Sequence, residues 1–121
     1  MSTAASLDEA YVMARRLEQR HEHVQAAEAY LVAADHAEEL GEAGFARRAR
    51  TSARRNLVVA WAQKRWQLIE NEDVTIDLGQ WSRNPKQEIT RFQLRFRTLE
   101  GDRRVIVVAI DRRGRVSRVT R

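Results

Sequence analysis

Apolar residues recur every three or four positions along the first 40 residues. Leu7, Tyr11, Ala14 and Leu17 share one helical face, and Val24, Ala27, Leu31 and Ala34 share another. The charged run 18–23 separates the two as a turn, and Gly41 after Leu40 is a C-terminal stop. Ser6 with Glu9 three residues on fits a capping box and sets the expected start of the first helix. Phe45, Ala49, Ala53, Leu57, Ala60 or Trp61, and Leu68 then predict a long helix over 45–69, continuous or broken near Asn56. Residues 57–62 are apolar on every side and include two valines and a tryptophan, so a strand stays open there.

Beyond residue 73 the period becomes two. Val74, Ile76 and Leu78 alternate with Thr75 and Asp77. Phe92, Leu94 and Phe96 point one way, and Arg91, Gln93, Arg95 and Arg97 the other. Residues 105–110 are apolar on both faces, and 115–120 form a last strand. Residues 79–88, with Asn84-Pro85, read as a loop, and Glu100-Gly101-Asp102 as a turn. Asp111-Arg112-Arg113-Gly114 is a hairpin turn with glycine where positive φ is wanted. The expected fold class is α+β, a single domain over 1–121. An acidic helical hairpin (1–44) and a central helix (45–69) pack on a basic four-stranded antiparallel meander (73–121).

The chain has 121 residues, enough for one domain with a real core. It has no cysteine, which excludes disulfides and thiolate chemistry. The start MSTAASLDEAY carries neither a basic patch nor an apolar run, so no signal peptide is expected. The longest apolar runs, 57–62 and 105–110, are far short of the roughly 20 residues that span a bilayer. The expected location is the cytoplasm, without membrane contact.

Charge changes the picture more by its distribution than by its total of +5. Residues 1–44 hold nine acids and three arginines, a net of −6. Residues 45–121 hold eight acids and 19 bases, a net of +11. Of the 22 bases only Lys64 and Lys86 are lysines, which fits the bias of a GC-rich genome as well as a functional surplus. The asymmetry can hold two halves together, drive association between copies, or present a basic face to an acidic partner.

The alanines of the second helix form the pattern AAxxYxxAAxxA, from Ala26 and Ala27 through Tyr30, Ala33 and Ala34 to Ala37. Side chains this small let a neighbouring helix approach closely. With Leu17-Glu18 before it, the pattern resembles the core motif of the AraC-negative-regulator (ANR) family, small bacterial and phage proteins that bind transcription regulators. The resemblance covers residues 11–55 and departs from the family at His21, where the pattern has glycine. A tetratricopeptide-like hairpin or an ordinary alanine-packed hairpin accounts for the same residues, and one such unit is too few for a solenoid.

Two sets of candidate residues follow. The first serves a protein partner, with a homodimer expected: Ala26, Tyr30 and Ala33 on the hairpin, and Arg91, Arg95 and Arg97 on a sheet face beside an aliphatic strip. The second serves nucleic acid: Arg47, Arg48, Arg50, Arg54 and Arg55 on the central helix with Trp81, Arg95 and Arg97. The sheet phenylalanines lie opposite the arginines, leaving only Trp81 to stack on a base, which weakens that second set. The helix arginines can instead pair with Glu38, Glu39 and Glu42.

The chemistry of catalysis is missing. His21-Glu22-His23 alternate and do not share a helix face, and no further ligand follows at a metal-site spacing. No nucleophile elbow or glycine-rich phosphate loop occurs, and Glu18/Glu22 and Asp35/Glu39 are carboxylate pairs on polar helix faces. The sequence reads as a non-enzymatic regulator or adaptor without metal or cofactor, with a nucleic-acid-binding module as the alternative.

Overall fold

The computed structural model describes residues 3–66, 75–77, 90–97, 100–111 and 113–119. Helices α1 (Thr3–Gln19), α2 (His23–Glu39) and α3 (Ala43–Trp66) precede strands β1 (Thr75–Asp77), β2 (Thr90–Arg97), β3 (Arg103–Ile110) and β4 (Val116–Arg118). The fold class is α+β. The chain divides into two compact units, Met1–Leu57 and Val58–Arg121, and α3 runs through the boundary.

In the first unit α1 starts earlier than the capping pattern indicates. Ser6 lies inside the helix, because Ala4 and Ala5 are strong helix formers and extend it back to Thr3. The two interhelical turns close alike. The amides of His21 and Glu22 donate to the carbonyls of Glu18 and Leu17 at 3.0 and 2.9 Å. Those of Gly41 and Glu42 donate to Glu38 and Ala37 at 3.0 and 2.8 Å. This is the Schellman pattern, in which the residue after the cap takes positive φ. Gly41 does so at φ 76° with no Cβ to clash, and His21 does so at φ 60° against that preference.

The core of this unit is built from alanine and aromatic rings. Leu7, Ala33, Ala34, Ala37, Ala46 and Ala49 pack as one cluster, and Ala14, Ala27, Tyr30 and Ala53 as a second. Tyr11 touches both. Its ring meets Tyr30 edge-on at 6.1 Å and Phe45 at 5.2 Å, filling the space between close-packed helices. The stripe expected on α2 is corrected here: Ala27 and Ala34 are buried, but Val24 and Leu31 face out. The arc of α2 that turns inward is centred on Ala26, Ala27, Tyr30, Ala33, Ala34 and Ala37: the alanines let the neighbouring helices approach closely, and the Tyr30 ring packs edge-on against Tyr11.

α3 is unbroken through Asn56, and residues 57–62 are helical, which closes the strand alternative. Val58 and Ala62 on α3 are buried, between half-buried neighbours Leu57, Val59, Ala60 and Trp61.

The sheet of the second unit has the order β1-β2-β3-β4, every neighbour antiparallel. Its body is the eight-residue pair β2 and β3, with Phe92 opposite Val108 and Leu94 opposite Ile106. Phe92, Leu94, Phe96, Ile106, Val108 and Ile110 line the buried face, as the alternation dictates. The last member of the expected meander, β4, is a three-residue segment. The strand expected over 115–120 shortens to Val116–Arg118; of that expected over 74–78, Thr75–Asp77 is strand, and Val74 and Leu78 lie outside the described residues. The loop 79–88 also lies outside them. Gly101, at φ 91°, sits between β2 and β3. Between β3 and β4, Asp111 accepts the amides of Arg113 and Arg115 through Oδ1, both at 2.9 Å, and Arg115 Nε through Oδ2 at 2.8 Å. Those hydrogen bonds, the Arg115 amide first, hold the Asp111 carboxyl below its ordinary pKa.

Candidate functional site

The outer face of the sheet follows from register. Arg91 lies opposite Ala109, Gln93 opposite Val107, Arg95 opposite Val105 and Arg97 opposite Arg103. On the far side Ser117 pairs with Ala109, and the Val119 amide donates to the Val107 carbonyl at 2.9 Å. An aliphatic strip, Val105, Val107 and Ala109, therefore runs along β3 with Arg91 and Arg95 exposed on one flank and Val119 on the other. Val105 is 57% exposed, the most exposed large apolar side chain among the described residues. The strip forms because β3 is apolar at every position from 105 to 110, so a strand with one face in the core must show valine on the other. The described positions of this face hold no aromatic residue.

The hairpin half of the partner set does not form a surface. Ala26, Tyr30 and Ala33 are all buried, with Tyr30 only 2% exposed. Burial, and next the neighbouring Glu18, push the Tyr30 phenol up to about 12. What α2 presents to solvent is different: Val24, Leu31 and Val32, each between 43% and 49% exposed, interleaved with Glu28, Asp35 and Glu39. Sequence reasoning missed this face because it assigned Val24 and Leu31 to the core.

The helix arginines do not form one row. Arg50 Nη2 pairs with Glu38 Oε1 at 2.7 Å and reaches Asp35 at 3.8 Å, so part of the acidic hairpin does fold back on α3. Arg48 lies over the Phe45 ring at 5.9 Å. Arg54 is half-buried and engaged, while Arg47 and Arg55 are exposed. At 100° per residue, Arg47, Arg50 and Arg54 fall on one flank of the solvent side, and Arg48 and Arg55 on the other. The side chain of Arg97 and all of Trp81 lie outside the described residues.

One polar cluster escaped the sequence reading altogether. Asn56, 3% exposed on α3, donates from Nδ2 to Glu18 Oε2 at 2.7 Å and to the Ser52 carbonyl at 2.8 Å. Because Nδ2 is the donor, Oδ1 accepts, and His23 Nδ1 donates to it at 2.8 Å. One side chain from each helix thus meets at the mouth of the α1–α2 turn, where the rings of His21 and His23 stand edge-on at 5.9 Å. A buried amide with every donor used fixes helix register rather than presenting chemistry. The signal was available: Asn56 stands three residues after Ala53 and seven after Ala49, on the buried stripe itself. Among the described residues no three His, Cys, Asp or Glu side chains come together as a metal site. No helix is long and apolar enough to cross a membrane.

No protein-family model, no curated protein and no solved structure matches the chain.

Proposed function

We propose that the protein is a small regulator or adaptor that works by protein–protein contact, through the outer face of its sheet. The carrying observation is the strip Val105–Val107–Ala109, exposed at Val105 and half-buried at Val107 and Ala109, bordered by exposed Arg91 and Arg95. An apolar centre with an arginine rim is the composition of a protein contact surface. A single-strand nucleic-acid platform needs aromatic side chains beside its arginines, and the described positions of this face have none. The resemblance of residues 11–55 to the ANR family supports a transcription regulator as the target and a bacterial or phage origin.

The second reading, nucleic-acid binding, draws on exposed Arg47 and Arg55 on α3 together with Arg91 and Arg95 on the sheet. One experiment separates the two. Wild type, Val105→Asp and Arg47→Glu/Arg55→Glu are each used to isolate partners from cell extract, with and without nuclease. The protein-contact reading expects a stoichiometric protein partner that survives nuclease and is lost with Val105→Asp. Recovery of nucleic acid that is shed at high salt, lost with the arginine reversals and indifferent to Val105→Asp, overturns it.

A further inference from the structure

Resting on the reading of the sheet face as a contact surface, we infer that its partner is the exposed face of α2 on a second copy of the chain. Val24, Glu28, Leu31 and Asp35 follow at intervals of four, three and four, so they line one side of the helix. Val24 is 49% and Leu31 43% exposed, Glu28 and Asp35 are exposed, and Val32 and Glu39 adjoin them. This is an aliphatic surface with a carboxylate border, of which Asp35 also lies 3.8 Å from Arg50 of its own chain. The sheet face is an aliphatic surface with an arginine border.

The dimensions agree. Glu28 and Asp35 are seven residues apart on a helix, about 10 Å of axial rise. Arg91 and Arg95 are four residues apart on a strand, about 13 Å. Arginine side chains are long enough to absorb the difference. Val24 to Leu31 likewise covers about the length of the strip from Val105 to Ala109.

Sign of charge selects the pairing. Two sheet faces docked about a two-fold axis set Arg91 and Arg95 of one copy against the same arginines of the other or, with the axis along the strands, against its Val119 flank. Two α2 faces docked the same way set Glu28, Asp35 and Glu39 against carboxylates. Like charges across an interface are costly, and arginines set against an aliphatic flank gain no partner, so neither symmetric arrangement matches the charge pairing of sheet on α2. Sheet of one copy on α2 of the next brings opposite charges around two apolar centres. Such a contact is head-to-tail, closing into a ring or continuing as a chain. It is steered by charge and weakens with salt.

The test uses the full chain and two variants, each at a half-exposed position and each checked for an unchanged thermal melt. Val105→Asp blocks every sheet face and leaves α2 intact, and Leu31→Arg does the converse. In sedimentation velocity across a concentration series, wild type self-associates and does so less at high salt. Each variant alone associates at least about tenfold more weakly, which is about 1.4 kcal/mol. An equimolar mixture of the two forms a 1:1 dimer and nothing larger, because one good face of each remains. Wild type that stays monomeric at every concentration overturns the inference, as do variants that assemble undiminished or a mixture that stays monomeric. The contact-surface reading fails separately: it falls if Val105→Asp keeps the protein partner isolated with wild type, and stands if that partner is lost while the mixture stays monomeric.

Discussion

Replacing Asn56 by alanine tests whether the buried amide locks the three helices together. The substitution removes the donor to Glu18 at 2.7 Å and the acceptor for His23 at 2.8 Å. The Ser52 carbonyl matters less, because it keeps the backbone position of a helical acceptor. A hydrogen bond to a charged group contributes about 1.5–3 kcal/mol and a neutral one about 1 kcal/mol. Glu18 and His23 are half-buried and regain some water when the amide is gone, which lowers the total. The expected cost is about 2–4 kcal/mol, a large share of the roughly 5–15 kcal/mol that holds a domain folded.

Urea unfolding followed by far-ultraviolet circular dichroism measures that cost, and Glu18→Gln with Asn56→Ala gives a double-mutant cycle. The coupling between the two sites should be about 1 kcal/mol or more. Asn56→Leu separates volume from hydrogen bonding: it fills the site yet orphans the same partners, so it should remain less stable than wild type. If Asn56→Ala costs under about 0.5 kcal/mol, the range of an ordinary surface change, or if Asn56→Leu equals wild type, the network contributes nothing and the reasoning fails.

Four other changes have defined outcomes. His21→Gly should raise stability by about 0.5–1 kcal/mol in the same urea assay, because φ 60° costs glycine nothing. Tyr30→Phe should flatten the alkaline stability profile. The folded phenol holds its proton to about 12 while the unfolded one loses it near 10.0, so wild type sheds on the order of 2 kcal/mol as pH rises through that window and keeps it all below. Ala33→Glu should abolish the helical circular dichroism of the first unit rather than merely weaken association, since Ala33 has 0% exposure and a lone buried carboxylate costs several kcal/mol. Val105→Thr keeps the β-branched shape and should shift the urea midpoint by no more than about 0.5 kcal/mol of stability, while lowering self-association in sedimentation.

Helix periods and strand alternation were legible because they arise from local geometry. The face of β2 bearing Phe92, Leu94 and Phe96 is fixed by a period of two, and Gly41 and Gly114 by their positive φ. What periodicity could not rank was size. In α2 every face has apolar residues, and the reading that put Val24 and Leu31 inside followed bulk, whereas helix proximity favoured alanine. A repeat hints at the answer: EAYVMA at 9–14 and EAYLVA at 28–33 each supply a tyrosine, and those rings meet at 6.1 Å. The candidate site was half legible. The arginine border of β2 was visible in the alternation, while Asn56 looked like a helix break because its partners, Glu18 and His23, are more than 30 residues away.

The inverted use of side-chain size in α2 bears on function. A hairpin shaped only for stability gains most by placing leucine and valine inside, since each buried methylene contributes about 0.8 kcal/mol. Here the interior of α2 is alanine and one tyrosine, and Val24, Leu31 and Val32 remain in water. The sheet repeats this: Val105 is more exposed than any other large aliphatic side chain described, beside the exposed Arg95 across the strand pair. Genome composition can account for arginine in place of lysine, but it does not sort carboxylates onto one aliphatic face and guanidinium groups onto another. The proposed contact with another protein surface would account for the exposed aliphatics and for the sorting together. On the function proposed, two faces of opposite charge carry the contact.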